Sequence, residues 1–205
     1  ALLVQALESS FDFKSPSKSI PQLLRIHQSI LALPDSDWKR IKLADCEKLI
    51  KDCLGLFVEL RTNKFKASPG SELLVTLEVI NRSNTEVRLV SMEVTSNDNV
   101  FALPSTLVYN QGYTKELTIQ TPEQLSIPYW LIKHPEEGMY KVDQQKKRGT
   151  PADPPSITAA VKIEINGTSI TLQAPVIYKT VDPAEGEVIR PLSIIPPVTV
   201  ESNDE

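Results

Sequence analysis

No glycine precedes Gly55 in this 205-residue chain, and only Pro16, Pro21 and Pro34 break the stretch before it. The remaining prolines and all seven glycines lie in the rest of the sequence. Glycine and proline are the strongest local interruptions of regular structure. The first part can therefore run as helix, whereas the remainder must fold from short segments.

Hydrophobic spacing follows the same division. Leu43, Cys46, Ile50, Cys53, Phe57 and Leu60 recur at intervals of three and four, the stripe of an amphipathic helix. Asp35, Ser36 and Asp37 supply cap oxygens ahead of it. The stripe predicts helix as far as residue 60, although Leu56, Val58 and Leu60 also alternate as a strand would. An earlier helix is expected from Ser19 as N-cap, with Pro21 in its first turn. Its stripe is Ile20, Leu23, Leu24, His27, Ile30 and Leu31. Pro34-Asp35 marks the corner, so the two helices should form a hairpin, with a helical stub over residues 2–9. His27, inside an apolar stripe, is expected to be half-buried and hydrogen-bonded.

From Ala67-Ser68-Pro69-Gly70 onward the period falls to two. Leu73, Val75, Leu77 and Val79 alternate with polar neighbours, and Asn81-Arg82-Ser83-Asn84 turns the chain into residues 87–94. Tyr113, Lys115, Leu117 and Ile119 form another alternating run. Ile157 to Ile165, Asn166-Gly167, then Ile170 and Leu172 read as a hairpin, because both turn residues accept positive φ. Further strands are expected at 175–179 and 187–195. Short strands without intervening helices predict an antiparallel, immunoglobulin-like β-sandwich. The fold class is thus α+β, with a helical hairpin and linker over 1–62, the sandwich over 63–200, and a charged tail or the start of another domain over 201–205.

Several functions are disfavoured by composition. The net charge is −4 and residues 1–60 are charge-balanced, so no basic stripe is available for nucleic acid. No run of about 18 apolar residues exists to span a membrane. Cys46 and Cys53 lie about 10.5 Å apart along one helix face, beyond disulfide reach, and read as small core residues. His134-Pro135-Glu136-Glu137 resembles half of a metal site, but a hydrolytic zinc takes about three protein ligands, and the only other histidine is His27. A proline-linked acidic turn closed by Gly138 accounts for it. Neither Gly-x-Ser-x-Gly nor a phosphate-cradling glycine loop is present, so no catalytic, cofactor or metal residues are assigned. Asn81-Arg82-Ser83 and Asn166-Gly167-Thr168 match the glycosylation sequon and sit in turns. Lacking an initiator Met at Ala1 and ending in Glu201-Ser202-Asn203-Asp204-Glu205, the chain reads as a region of a longer protein.

An ordered set of segments resembles a known family. Leu54-Gly55-Leu56-Phe57-Val58-Glu59 leads to Ser68-Pro69-Gly70-Ser71-Glu72 and Val79-Ile80-Asn81-Arg82-Ser83. Pro128-Tyr129-Trp130-Leu131, Pro175-Val176-Ile177-Tyr178-Lys179, Asp182-Pro183-Ala184-Glu185-Gly186-Glu187, Arg190-Pro191-Leu192 and Pro196-Pro197-Val198-Thr199-Val200 follow. Over roughly residues 40–200 this order is similar to the region downstream of the catalytic domain in long PIG-L (LmbE-like) deacetylases of Bacteroidetes. That family's zinc chemistry uses His-Pro-Asp-Asp and His-x-x-His, and neither motif occurs here. The resemblance implies a non-catalytic accessory region of a periplasmic or extracellular N-acetyl sugar deacetylase, with zinc confined to the catalytic domain.

Three functions follow as expectations. A spacer or docking module would partner adjacent domains and expose apolar surface near its N-terminal end. A carbohydrate-binding module would stack sugar rings on Trp130, Tyr129, Tyr140 or Tyr113, most of them in the 128–140 loop within the proline-rich stretch 122–155. Burial of Trp130 in the core would argue against it. A protein-interaction domain would use its sheet edges.

Overall fold

Three helices precede the sheet in the computed structural model, which describes residues 2–94 and 99–198. The tail at 201–205 and the Thr199-Val200 pair lie outside the described residues. The helices are α1 (Leu2–Ser10), α2 (Ile20–Leu31) and α3 (Asp37–Cys53). Ser36 caps α3 from an extended backbone, its Oγ accepting the Lys39 N–H at 3.1 Å, as side-chain oxygens at this position do. Ser19 does not cap α2. It closes a 3₁₀ turn, Pro16–Ser19, with φ −78° and ψ −12°, and makes no side-chain cap bond. The turn feeds directly into α2, so there is no free helix end at Ser19 to cap. Across the hairpin the Cys46 thiol donates to the Leu23 carbonyl at 3.7 Å.

The helical stripe does not carry α3 to residue 60. Gly55 adopts φ +58°, and its N–H donates to Asp52 O while the Leu56 N–H donates to Lys51 O, both at 3.0 Å. This pair of bonds is the Schellman closure, which needs a left-handed residue after the helix. A Cβ at Gly55 would meet Arg82 Cβ at 3.1 Å, so glycine suits the position twice over. Strand β1 (Phe57–Thr62) starts two residues later. The sheet thus begins at Phe57, inside the span expected to be helical. Leu60 is buried by the strand's own period of two, and Phe57 faces outward with the Arg82 guanidinium 5.5 Å from its ring centroid.

The remaining strands are β2 (Lys66–Ala67), β3 (Glu72–Ile80), β4 (Val87–Val94), β5 (Asn99–Leu107), β6 (Gly112–Gln120), β7 (Thr158–Ile165), β8 (Thr168–Asp182), β9 (Gly186–Pro191) and β10 (Ser193–Ile194). The main sheet runs β5-β4-β7-β8-β1-β3-β6, with β9 alongside β8. Among the described residues only β1 and β8 pair in parallel within it. Its end strands, β5 and β6, approach each other, so the sheet is mostly antiparallel and nearly closed. The chain is accordingly α+β. A separate parallel pair joins β2 to β10.

The β7–β8 hairpin forms as its sequence demands, with Asn166 at φ 48° and Gly167 at φ 76° between paired Ile165 and Thr168. Three features differ from the sequence reading, the first being that the run at 187–195 divides at Leu192 into β9 and β10, which lie in separate sheets. Strand β5 escapes it because Pro104 interrupts the run. The pairing with β4 jumps from Leu89–Ser105 to Ser91–Ala102, and this irregularity lets a terminal strand hold a residue without an N–H. The runs at 170–172 and 175–179 are one strand. Pro175 stands at the last pair with β7, where β8 passes on to β1 and β9. A single buried cluster joins Ile20, Leu23, Ile50 and Leu54 of the helical part to Leu60, Leu77, Val161 and Ile163 of the sheet.

Candidate functional site

Between β6 and β7 the chain makes its longest excursion, residues 121–157, and the base of that loop is tied down on both sides. Thr121 is buried; its N–H donates to Ser71 O at 2.9 Å and its hydroxyl to Ser68 O at 2.6 Å. At the other strand end a one-way chain of hydrogen bonds crosses the loop base. The Ile194 N–H donates to Ser126 Oγ (2.8 Å), Ser126 Oγ lies 2.6 Å from Ser156 Oγ, and Ser156 Oγ donates to Leu192 O (3.0 Å). With the Ser126 N–H bonded to Ile194 O, the short strand β10 clamps both limbs of the excursion.

Asp153 organises the loop above this clamp. One carboxylate oxygen accepts the Tyr129 N–H at 2.7 Å and the other the Lys147 ammonium at 3.1 Å. The Tyr129 hydroxyl reaches Thr150 O at 3.0 Å, and its ring meets the Trp130 ring edge-to-face at 4.9 Å between centroids, a favoured aromatic arrangement. Trp130 is half-buried in the wall of an open cleft of about 530 Å³. Five prolines share that wall: Pro122, Pro128, Pro154, Pro155 and Pro191. Leu125, Ile127 and Leu192 add apolar surface, while Gln124, Ser193, Lys147 and Asp153 bring polar groups. A smaller hollow of about 90 Å³ lies beside Tyr129 and shares Ile132 and Lys147 with the cleft.

The four aromatic residues singled out by sequence are not gathered. Trp130 and Tyr129 touch, but only Trp130 reaches the larger cleft. Tyr140 is 55% exposed and lines neither space. Tyr113 opens β6 and packs against the core, eight residues from Thr121, so about 27 Å of strand separates it from the loop base. Sequence reasoning gave no site role to Lys147 or Asp153, which it left in the loop, or to the β10 residues, which it read only as strand. Their one legible signal is the clustering of prolines at 122, 128, 154 and 155, which brackets the loop.

His134-Pro135-Glu136-Glu137 forms the tight acidic turn its sequence suggests. Glu136 and Met139 exchange main-chain bonds at 3.0 and 3.1 Å, Gly138 takes φ +77°, and the Glu136 carboxylate pairs with Lys141. His27 is buried rather than half-buried, with Nε2 3.3 Å from Glu47 Oε1 and no hydrogen-bond partner for Nδ1 among the described residues. Among the described residues no three His, Cys, Asp or Glu side chains converge to hold a metal. Cys46 and Cys53 are both free. Burial pushes the Cys46 thiol up to about 11, with the nearby Glu47 charge adding to it. Burial raises Cys53 too, so neither thiol is primed as a nucleophile. No helix among the described residues is long and apolar enough to cross a membrane.

No family model matches the chain, and no curated protein matches it. Two of the solved structures that are similar in part illustrate the likeness. The sporulation control protein Spo0M from Bacillus subtilis is 12% identical with a TM-score of 0.26, over 59% of this chain and 49% of its own. The alkylpurine DNA glycosylase AlkC of Pseudomonas fluorescens, bound to DNA with an abasic site analog, is 9% identical with a TM-score of 0.23, over 82% and 49%. The chain thus spans about half the length of either. Neither likeness is strong enough to bear on fold or function.

Proposed function

We propose that this chain is a non-catalytic module of a larger secreted, PIG-L-like N-acetyl sugar deacetylase, and that its helical hairpin docks a neighbouring domain. The observation carrying this reading is the apolar surface on the helical part. Phe13, Leu33 and Trp38 are 89%, 53% and 72% exposed. Trp38, Ile41 and Leu49 are all exposed and share one face of α3 by helical spacing. Single exposed apolar residues are ordinary, but a concentration of them is the mark of an interaction surface. The family resemblance over residues 40–200 supplies the parent, its periplasmic or extracellular setting, and the catalytic domain to which zinc would belong.

An immunoglobulin-like sandwich is the finer reading of the sheet. Strand β8 supports it, being long enough to serve two layers: residues 168–175 pair with β7, and 176–182 with β1 and β9. The order β5-β4-β7-β8 would then face β8-β1-β3-β6.

The docking is tested by acrylamide quenching of Trp38 in a Trp130→Phe background, with this chain alone and within the parent. Docking shields Trp38 and shifts its emission to the blue. Equal quenching in the two settings rejects the reading. Leu33→Asp with Trp38→Glu should speed limited proteolysis between the domains of the parent, without changing the stability of the isolated chain.

A further inference from the structure

We infer that the cleft between the 122–156 loop and β10 is a binding site for an uncharged saccharide of one or two rings, whether or not the hairpin docks a second domain. Its volume of about 530 Å³ falls within the roughly 300–1,000 Å³ typical of ligand pockets. The chemistry of the wall selects the ligand class. Proline carries a carbonyl but no N–H, so the five prolines make the main chain of this cleft poor in donors, although Pro128 O already accepts the Leu131 N–H at 2.8 Å. A proline-rich peptide is likewise poor in donors, and would leave both sides unsatisfied. A polyhydroxylated ring brings the missing O–H donors.

Charge narrows the class further. The cations and anions of the wall are Lys147 and Asp153, and they neutralise each other at 3.1 Å. An anionic ligand would have to compete with Asp153 for the one ammonium, and a cation with Lys147 for the carboxylate. Neutral ligands face no such competition. Trp130 supplies an aromatic surface for the C–H face of a sugar ring, and Gln124 and Ser193 are among the lining residues, with an amide and a hydroxyl to offer. Rigidity favours the site as well. Proline φ angles are fixed, and the Ser126–Ser156–Leu192 bonds hold both limbs of the loop to β10, so little ordering accompanies binding.

The test uses the whole 205-residue chain carrying Trp38→Phe, which leaves Trp130 as the sole indole. Its fluorescence is followed while glucose, maltose, cellobiose and N,N′-diacetylchitobiose are added, with glucose 6-phosphate and a polyproline peptide as controls. At least one neutral sugar should produce a saturable change, and both controls should not. Trp130→Ala should weaken that sugar at least about tenfold by calorimetry, equivalent to roughly 1.4 kcal/mol. Amide and indole chemical shifts of the unaltered chain give a readout independent of that variant's folding, and they should move at Trp130, Gln124 and Ser193. The inference is overturned by a flat response to all four sugars, by binding of either control in preference to them, or by shift changes centred away from the cleft.

Discussion

Asn81 lies beneath the turn between β3 and β4 with its side chain removed from solvent. Its Nδ2 donates to Thr85 O at 2.8 Å, and its Oδ1 accepts from the Ser83 N–H (3.0 Å) and Ser83 Oγ (2.9 Å). Its carbonyl takes the Asn110 N–H at 2.7 Å, fastening a second turn to the first. The Asn-Arg-Ser sequence is therefore a turn lock, and its amide is engaged in the folded state. Asn81→Ala leaves buried partners without a bond and should cost about 1–3 kcal/mol. Urea denaturation should show a lower midpoint at unchanged slope. Asp182 is a second polar anchor, at the β8–β9 turn. The N–H groups of Glu185 and Ala184 hold its carboxyl below the ordinary carboxylate value of 3.8. A depressed folded pKa stabilises the protein above that value, and the stabilisation is lost as pH falls through the folded pKa. Asp182→Ala should thus lower Tm at neutral pH, and the two proteins should converge when pH drops below 3.8 toward the folded value. A difference that persists unchanged into strong acid would contradict this role.

At the scale of elements, two junctions deserve experiments. Gly55 ends α3 in a left-handed conformation that costs a side-chain-bearing residue about 1–2 kcal/mol, before the 3.1 Å approach of Arg82 is counted. Gly55→Ala should destabilise by at least that amount, and a neutral result would mean that the helix end can be remodelled. Lys179 joins strands instead: from β8 it reaches Glu59 of β1 at 3.0 Å and Glu187 of β9 at 3.1 Å. Those two carboxylates, Glu59 foremost, raise the Lys179 pKa above 10.5. A raised folded pKa stabilises below the unfolded value and the benefit disappears as pH rises through the folded one. Lys179→Met should accordingly be less stable than the parent sequence between neutrality and pH 10, with the gap closing at higher pH. Denaturant midpoints across that range give the comparison.

For the whole molecule, the shared core makes a cooperative prediction. Ile20, Ile50 and Leu54 of the helical part are as fully buried as Leu77 and Val161 of the sheet, within one cluster. The helical hairpin and the sheet should then unfold together. Circular dichroism of the helices and Trp130 emission in the Trp38→Phe chain should trace one transition, as two-state unfolding requires. An earlier helical transition would show that the hairpin is a separate unit. Ile50→Ala, which empties a fully buried site, should cost about 2–5 kcal/mol and lower both probes equally.

Local chemistry in the sequence determined the parts that depend on neighbours along the chain. The Asn166-Gly167 turn, the Ser36 cap, the inward row Leu73, Val75, Leu77 and Val79, and the acidic turn at Gly138 are all set by φ preference or by period. The end of α3 was legible in the same way, because Gly55 is a helix-stop signal. It was masked by Phe57 and Leu60, which satisfy a helical and a strand period at once. Tertiary structure decided what depends on partners distant in sequence. Pro104 is tolerated because its strand lies at the end of the sheet, and β8 runs straight through Pro175 because its partners change there. The cleft could not be read from residue order, since its wall joins residues near 122–130, 147–155 and 191–193. The closing of the loop onto β10 by three hydroxyl-borne hydrogen bonds, with the bonds of Tyr129 to Asp153 and Thr150, makes those segments neighbours.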